Sequence, residues 1–312
     1  MPLKAIWANS TAFSRLLLTL GMVLIGLVVF TFIGLLAAAF IYQVDPIQLQ
    51  EELNNFSNPR TISILKLIQT FSAIGAFIFP ALLIAFLVDQ HPMRYLSLNK
   101  SINFFSGVMI MVALICALPL INFLGELNSR MTLPSFLAGI EDWMKDSEAK
   151  TAELINRFLD MKTMADLLFN VFMIALLPAI GEELLFRGII QRILSDWSKN
   201  IHIGIWTSAI LFSALHLQFY GFLPRMMLGG LLGYLLVWSG SLWLPILAHF
   251  VNNASAVVFT YLFKENLIAL DADKIGTENN YLLVLISVAL TGSLIWLVYK
   301  KEQAVKKKLS MQ

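Results

Sequence analysis

Pro178-Ala179-Ile180-Gly181-Glu182-Glu183-Leu184-Leu185-Phe186-Arg187-Gly188 closes an apolar run that begins near Met164. It sets two adjacent carboxylates and an arginine into sequence otherwise apolar enough to lie in a membrane. An ionisable side chain at membrane depth costs roughly 2.5–3.5 kcal/mol on insertion scales, so three together require a compensating role. The stretch reads as a functional site in a membrane helix, with a solvated helix end just past a span as the plainer alternative. Glu183 and Arg187 are four apart with the acid on the N-terminal side, the better order for an ion pair on a helix. Glu182 has no such partner in its own segment. Two adjacent acids thereby acquire different chemistry, one structural and one able to take a proton. Pro178 and Gly181 loosen the helix just before the pair, and a break of that kind inside a bundle can admit water.

The rest of the chain agrees with a membrane setting. Of 312 residues, 58% are hydrophobic and 13% charged, against about 45–50% and about 25% in a soluble domain. The expected fold is all-α: a polytopic bundle of about eight transmembrane helices in a single domain, 1–312, with no linker or composition break to divide it. Stretches near the 20 apolar residues that a span requires fall at about 16–42, 67–88, 102–125, 164 to the carboxylate pair, 203–219, 222–238, 242–263 and 281–299. Helix is expected to continue from the fourth span to Ile193. Ala37-Ala38-Ala39 resembles a cleavage site, but the apolar run before it is too long for a signal-peptide core, so the segment is kept as a span.

The connection at about 126–163 differs from the spans. From Glu126 to Lys162 it has five Lys/Arg against seven Asp/Glu, with apolar residues at helical spacing. It is expected to form amphipathic helix at or above the membrane surface. Counting Lys and Arg in alternate loops orients the chain with both termini cytoplasmic. Twelve basic and five acidic residues then fall inside, and ten basic and fourteen acidic outside, with Asp166 left inside a span. This leaves the connection extracytoplasmic. The lysines after Tyr299 serve as a topology anchor. A net charge of +2 gives no reason to expect a nucleic-acid partner. Cys116, the sole cysteine, lies inside an apolar run and says nothing about redox compartment.

Two of the four histidines fall within later spans. His216 follows Phe212 by one helical turn, and His249 precedes Asn253 by one turn, which places His249 and Asn253 on one helical face. Counting rise from the expected span ends puts Glu182, His216, His249 and Asn253 at depths compatible with one cavity open to the cytoplasmic side. Gly229-Gly230-x-x-Gly233 allows close helix approach around it.

The order E-E-x-x-x-R, F-x-x-x-H, H-x-x-x-N on successive spans resembles the CPBP (Abi) family, which includes the type II CAAX prenyl endopeptidases and bacteriocin-processing proteins. The residues are Glu182, Glu183 and Arg187, then Phe212 and His216, then His249 and Asn253, within a catalytic core at about 164–263. The resemblance implies an intramembrane endopeptidase of the glutamate type, a hydrolase acting on a hydrophobic or lipid-modified peptide or protein. On that basis Glu182 and His216 activate a water, His249 and Asn253 stabilise the oxyanion, and Glu183 with Arg187 holds the geometry. Membrane lipid is the other expected partner, and the cell membrane the expected location. No cofactor is required. Zinc held by Glu182, His216 and His249 is a rival, although no H-E-x-x-H helix is present. A proton-coupled transporter and a non-catalytic peptide-binding scaffold are the others, and G-x-S-x-G is absent.

Overall fold

In the computed structural model the described residues are 4–45, 53, 58–269, 271–277 and 280–310. All regular structure among them is helical. The chain forms α1 (Ala12–Tyr42), α2 (Pro59–Val88), α3 (Phe104–Cys116), α4 (Leu118–Ser129), α5 (Ala138–Phe158), α6 (Met164–Ser198), α7 (Ile201–Ala214), α8 (Phe222–Ser239), α9 (Trp243–Lys264) and α10 (Tyr281–Ser310). Among the described residues, six helices are long and apolar enough to cross a membrane, and the pair α3–α4 makes a seventh span if counted as one. The chain is a multi-pass integral membrane protein.

The expected fifth span is where sequence and structure differ. The stretch at 203–219 forms α7, of 14 residues, which extends only about 21 Å at helical rise. It ends because Leu217 takes a left-handed conformation, φ 53°, which a continuing helix does not allow. The third span is bent by 48° between α3 and α4, where Pro119 sits in the first turn of α4.

Two long helices widen into a π turn shortly before an internal proline. In α2 the turn is Ile74–Ile78, ahead of Pro80, and in α6 it is Val171–Leu176, ahead of Pro178. Proline brings no N–H and its ring crowds the preceding turn, so the ladder shifts register there. Accordingly Phe79 donates to Ile74 and Leu177 to Phe172, each five residues back. A further π turn, Glu183–Ile190, follows immediately on Glu182.

Small residues decide how closely α1 and α2 approach. A Cβ on Gly26 would sit 2.1 Å from the Gly75 carbonyl oxygen, so the two backbones touch. The central packing cluster joins Ile84 and Ala85 of α2, Leu184, Leu185, Phe186, Ile189 and Ile190 of α6, Phe212 of α7 and Ile246 of α9. The carboxylate pair is therefore set into the middle of the apolar core.

Helix directions define two ends of the bundle. Lys306 donates to the carbonyl of Val237 and Ser241 to that of Lys100, which gathers the lysine-rich tail, the end of α8 and the start of α3 at one end. The connection with α5 lies at the other. Glu148 of α5 accepts from the Tyr220 amide at 3.2 Å, tying the helix to the turn between α7 and α8.

Candidate active site

Glu182 and Glu183 are neighbours in α6 with distinct surroundings. Glu183 is fully buried, and its Oε1 lies 3.0 Å from Arg187 Nη1 and 2.8 Å from His249 Nδ1. The Arg187 contact is electrostatic rather than a directed hydrogen bond, since Nη1 has no acceptor in bonding geometry. Arg187 is only 1% exposed. Its Nη2 donates to the Gly229 carbonyl at 3.1 Å, and its guanidinium stands 4.6 Å from the centre of the Phe212 ring. A buried cation so placed is compensated by one carboxylate, one carbonyl and one aromatic face.

Glu182 turns the other way, into a cavity of about 440 Å³. His249 and Asn253 of α9, His216 beyond the end of α7 and Arg225 of α8 also line it. His249 bridges the two acids, with Nδ1 on Glu183 and Nε2 3.8 Å from Glu182 Oε2. Because an ionised carboxylate only accepts, His249 donates from Nδ1. Its Nε2 then faces the cavity.

His216 lies two residues past the end of α7 and is exposed. The sequence placed it inside a span, and the early end of α7 at Ala214 is the reason for the difference. Its Nδ1 sits 2.8 Å from the Phe212 carbonyl, one turn back. A carbonyl can only accept, so the neutral ring carries its proton on Nδ1 and keeps Nε2 as an acceptor. Phe212 is the shared support, edge-on to His216 at 5.0 Å and to His249 at 5.9 Å between ring centres.

Asn253 is positioned by the helix break opposite it. Pro178 has no N–H for the carbonyl of Ile174, one turn earlier. Asn253 Nδ2 donates to that carbonyl at 3.3 Å, and Asn253 Oδ1 accepts from Asn252 Nδ2 at 3.0 Å. One proton of the Asn253 amide remains for a ligand in the cavity.

The opening of the cavity differs from the one counted along the sequence. Thr151, Leu154, Ile155 and Phe158 of α5 form one wall, so the cavity lies toward the connection and away from the lysine-rich tail. Depth counted from the sequence puts the carboxylates at the end of a span. In fact α6 continues to Ser198 and holds them near its middle.

Arg225, Gln191 and Asn252 belong to the polar framework but drew no hypothesis from the sequence. Arg225 lines the cavity and donates to Gln218 Oε1 at 2.7 Å. Gln191 carried a usable signal. Arg187 and Gln191 are spaced by four, as are Gly229 and Gly233, and Gln191 Nε2 donates to the Gly233 carbonyl at 3.3 Å. The glycine pattern thus accepts side-chain hydrogen bonds as well as allowing close packing. Among the described residues, no group of three His, Cys, Asp or Glu side chains is arranged to hold a metal ion.

Residues 164–255 match the family model described as type II CAAX prenyl endopeptidase Rce1-like. All six candidate residues fall inside that segment. The uncharacterized protein YpbD of Bacillus subtilis (strain 168) is 35% identical over 89 residues, which make up 27% of this chain and 42% of that protein. The chain thus covers less than half the length of this relative. No solved structure matches. The segment that carries the three motifs is similar to CAAX protease-like proteins.

Proposed function

We propose that this protein is an intramembrane endopeptidase that hydrolyses a peptide bond in a hydrophobic or membrane-associated peptide, using water activated by Glu182. The observation that carries the proposal is one cavity shared by Glu182, His216, His249 and Asn253, with the Glu183–Arg187 pair buried behind it. Amide hydrolysis requires a base beside water and preorganised donors where negative charge develops. Both kinds of group converge on this space.

Glu182 takes the proton of a water whose oxygen attacks the peptide carbonyl. His216, with Nε2 free to accept, holds the water's second hydrogen. The carbonyl oxygen becomes an oxyanion facing His249 Nε2 and the free proton of Asn253 Nδ2. For His249 to donate there, with its Nδ1 proton already committed to Glu183, it must be the imidazolium. Glu182 then returns its proton to the leaving nitrogen, which closes the balance. Glu183 and Arg187 act on His249 by position and charge, without touching substrate.

The apolar wall from α5, with Met173 and Ile174 of α6 and Leu228 of α8, suits a hydrophobic segment. A lipid-modified peptide is the extended form of the same substrate class. With both termini cytoplasmic, as the distribution of Lys and Arg indicates, this wall and the cavity mouth face the extracytoplasmic side.

The test is cleavage in proteoliposomes by wild type and Glu182→Gln, using a peptide identified by comparing the membrane peptidomes of cells that express each. Activity should be lost in Glu182→Gln. Full activity in that variant would remove the glutamate-base mechanism and favour a transporter or scaffold. Metal analysis of active protein, with cleavage repeated in chelator, separates the zinc alternative.

A further inference from the structure

A second cavity, of about 360 Å³, lies at the tail end of the bundle between α6, α7 and α8. Its polar lining marks it off from a packing void. Arg187, Gln191, Arg192 and Ser195 line it from α6, with Ser97 opposite. Gln191 is 2% exposed, yet its Oε1 has no hydrogen-bond partner, and neither has the buried Ser195 Oγ. Buried polar atoms are nearly always paired with protein, water or a ligand. Two of them around one space indicate that something polar occupies it: Ser195 Oγ can donate to an oxyanion, and Gln191 Oε1 accepts from water or from a phosphate hydroxyl.

The charges narrow the choice. Two guanidinium groups line the cavity. Arg192 is held loosely, by a 3.4 Å contact to Ser97 Oγ and by stacking 4.4 Å from the centre of the Tyr95 ring. Two lysines border it. Lys100 Nζ comes within 3.3 Å of where a Cβ on Gly240 would stand, and Lys306 Nζ donates to the Val237 carbonyl at 2.6 Å. Gly240 and Val237 are themselves lining residues. Against these four cations stand Asp196 in the lining and Glu183 on the far side of Arg187.

We propose that this cavity binds a phosphate-type oxyanion, presented by a phospholipid head group or by free phosphate. Guanidinium groups match phosphate oxygens in planar, multiply bonded geometry. Basic pockets between membrane helices, at the level of the head groups, bind anionic lipid for the same reason. The site is separate from the catalytic cavity but shares Arg187 with it. Its occupant therefore adds a second anion to the cation that fixes Glu183, and through Glu183 it steadies His249.

Thermal unfolding of the full chain tests this without any assay of cleavage. One arm compares inorganic phosphate with chloride at matched ionic strength, in detergent. The other compares nanodiscs of phosphatidylcholine with and without phosphatidic acid. Stabilisation is expected in at least one arm. Phosphate acting in detergent identifies a free oxyanion, and phosphatidic acid acting alone identifies a head group. Arg192→Gln should weaken the apparent affinity about tenfold or more, since it removes a charge-assisted contact. The exposed rim change Lys100→Glu should weaken it in the same direction, and it serves where Arg192→Gln folds poorly. Absence of stabilisation in both arms, or an affinity unchanged in both variants, overturns the proposal. Loss of cleavage in Glu182→Gln is a separate result, so hydrolysis and oxyanion binding can fail independently.

Discussion

Glu182 and Glu183 are adjacent in sequence, yet they answer to different energies. Glu183 accepts from His249 and faces Arg187 with no exposure to solvent, so Glu183→Gln leaves a buried cation under-compensated. Breaking a buried pair in this way costs about 3–5 kcal/mol. Yield and melting temperature of Glu183→Gln should therefore fall along with activity, whereas Glu182→Gln should lose activity and keep a near wild-type melt. Melting curves and single-turnover cleavage, measured side by side, check this, and equal melts for the two variants would contradict it. Asn253 has two duties that a second substitution can separate. Asn253→Ala should slow turnover by about 10²–10³-fold if its amide donates to the oxyanion. It should also cost about 1 kcal/mol of stability, because the Ile174 carbonyl loses its donor. Adding Pro178→Ala supplies a backbone N–H for that carbonyl, so the double variant should regain stability and stay slow. Recovery of rate together with stability would reduce Asn253 to a structural role.

At the scale of elements, α5 is the part whose duty the sequence left most open. Its amphipathic pattern was legible, and the helix formed. The pattern did not say what the apolar face covers. Leu154, Ile155 and Phe158 turn out to wall the cavity, and the Tyr220–Glu148 hydrogen bond holds the helix there. Truncating Leu154 or Ile155 to alanine should raise KM for a hydrophobic peptide about tenfold with little change in kcat, since methylene groups in a pocket contribute about 1–3 kcal/mol of uniform binding. A change confined to kcat would place these residues against the reacting atoms instead. The two prolines were also legible as breaks. That each is preceded by a π turn, and that one of the freed carbonyls is met by Asn253, depends on what stands across from it.

For the whole molecule, the cavity wall formed by α5 and the lysine-rich tail lie at opposite ends of the bundle. In a Cys116→Ala background, a cysteine in place of Ser147 and one in place of Lys307 should therefore react with an impermeant thiol reagent from opposite sides of the membrane. The Lys307 position should be reached only from the cytoplasm. Labelling of both from one side would overturn the orientation and, with it, the extracytoplasmic mouth of the cavity.

Sequence by itself determined the membrane setting, because 58% hydrophobic residues in long uncharged runs leave the backbone few solutions other than helices. It also marked Glu182, Glu183, Arg187, His216, His249 and Asn253, since ionisable and amide groups at membrane depth are costly enough to stand out singly. Only the tertiary structure decided which of them meet. Helical spacing joins Glu183 to Arg187 within α6, but the contact of His249 with both acids depends on how α9 packs against α6. Span counting found α7 but ran it past its true end at Ala214, and it put the cavity mouth at the wrong end of the bundle. Hydropathy measures the length of an apolar run, while a left-handed residue such as Leu217 and a helix as long as α6 set where the run stands in the bundle.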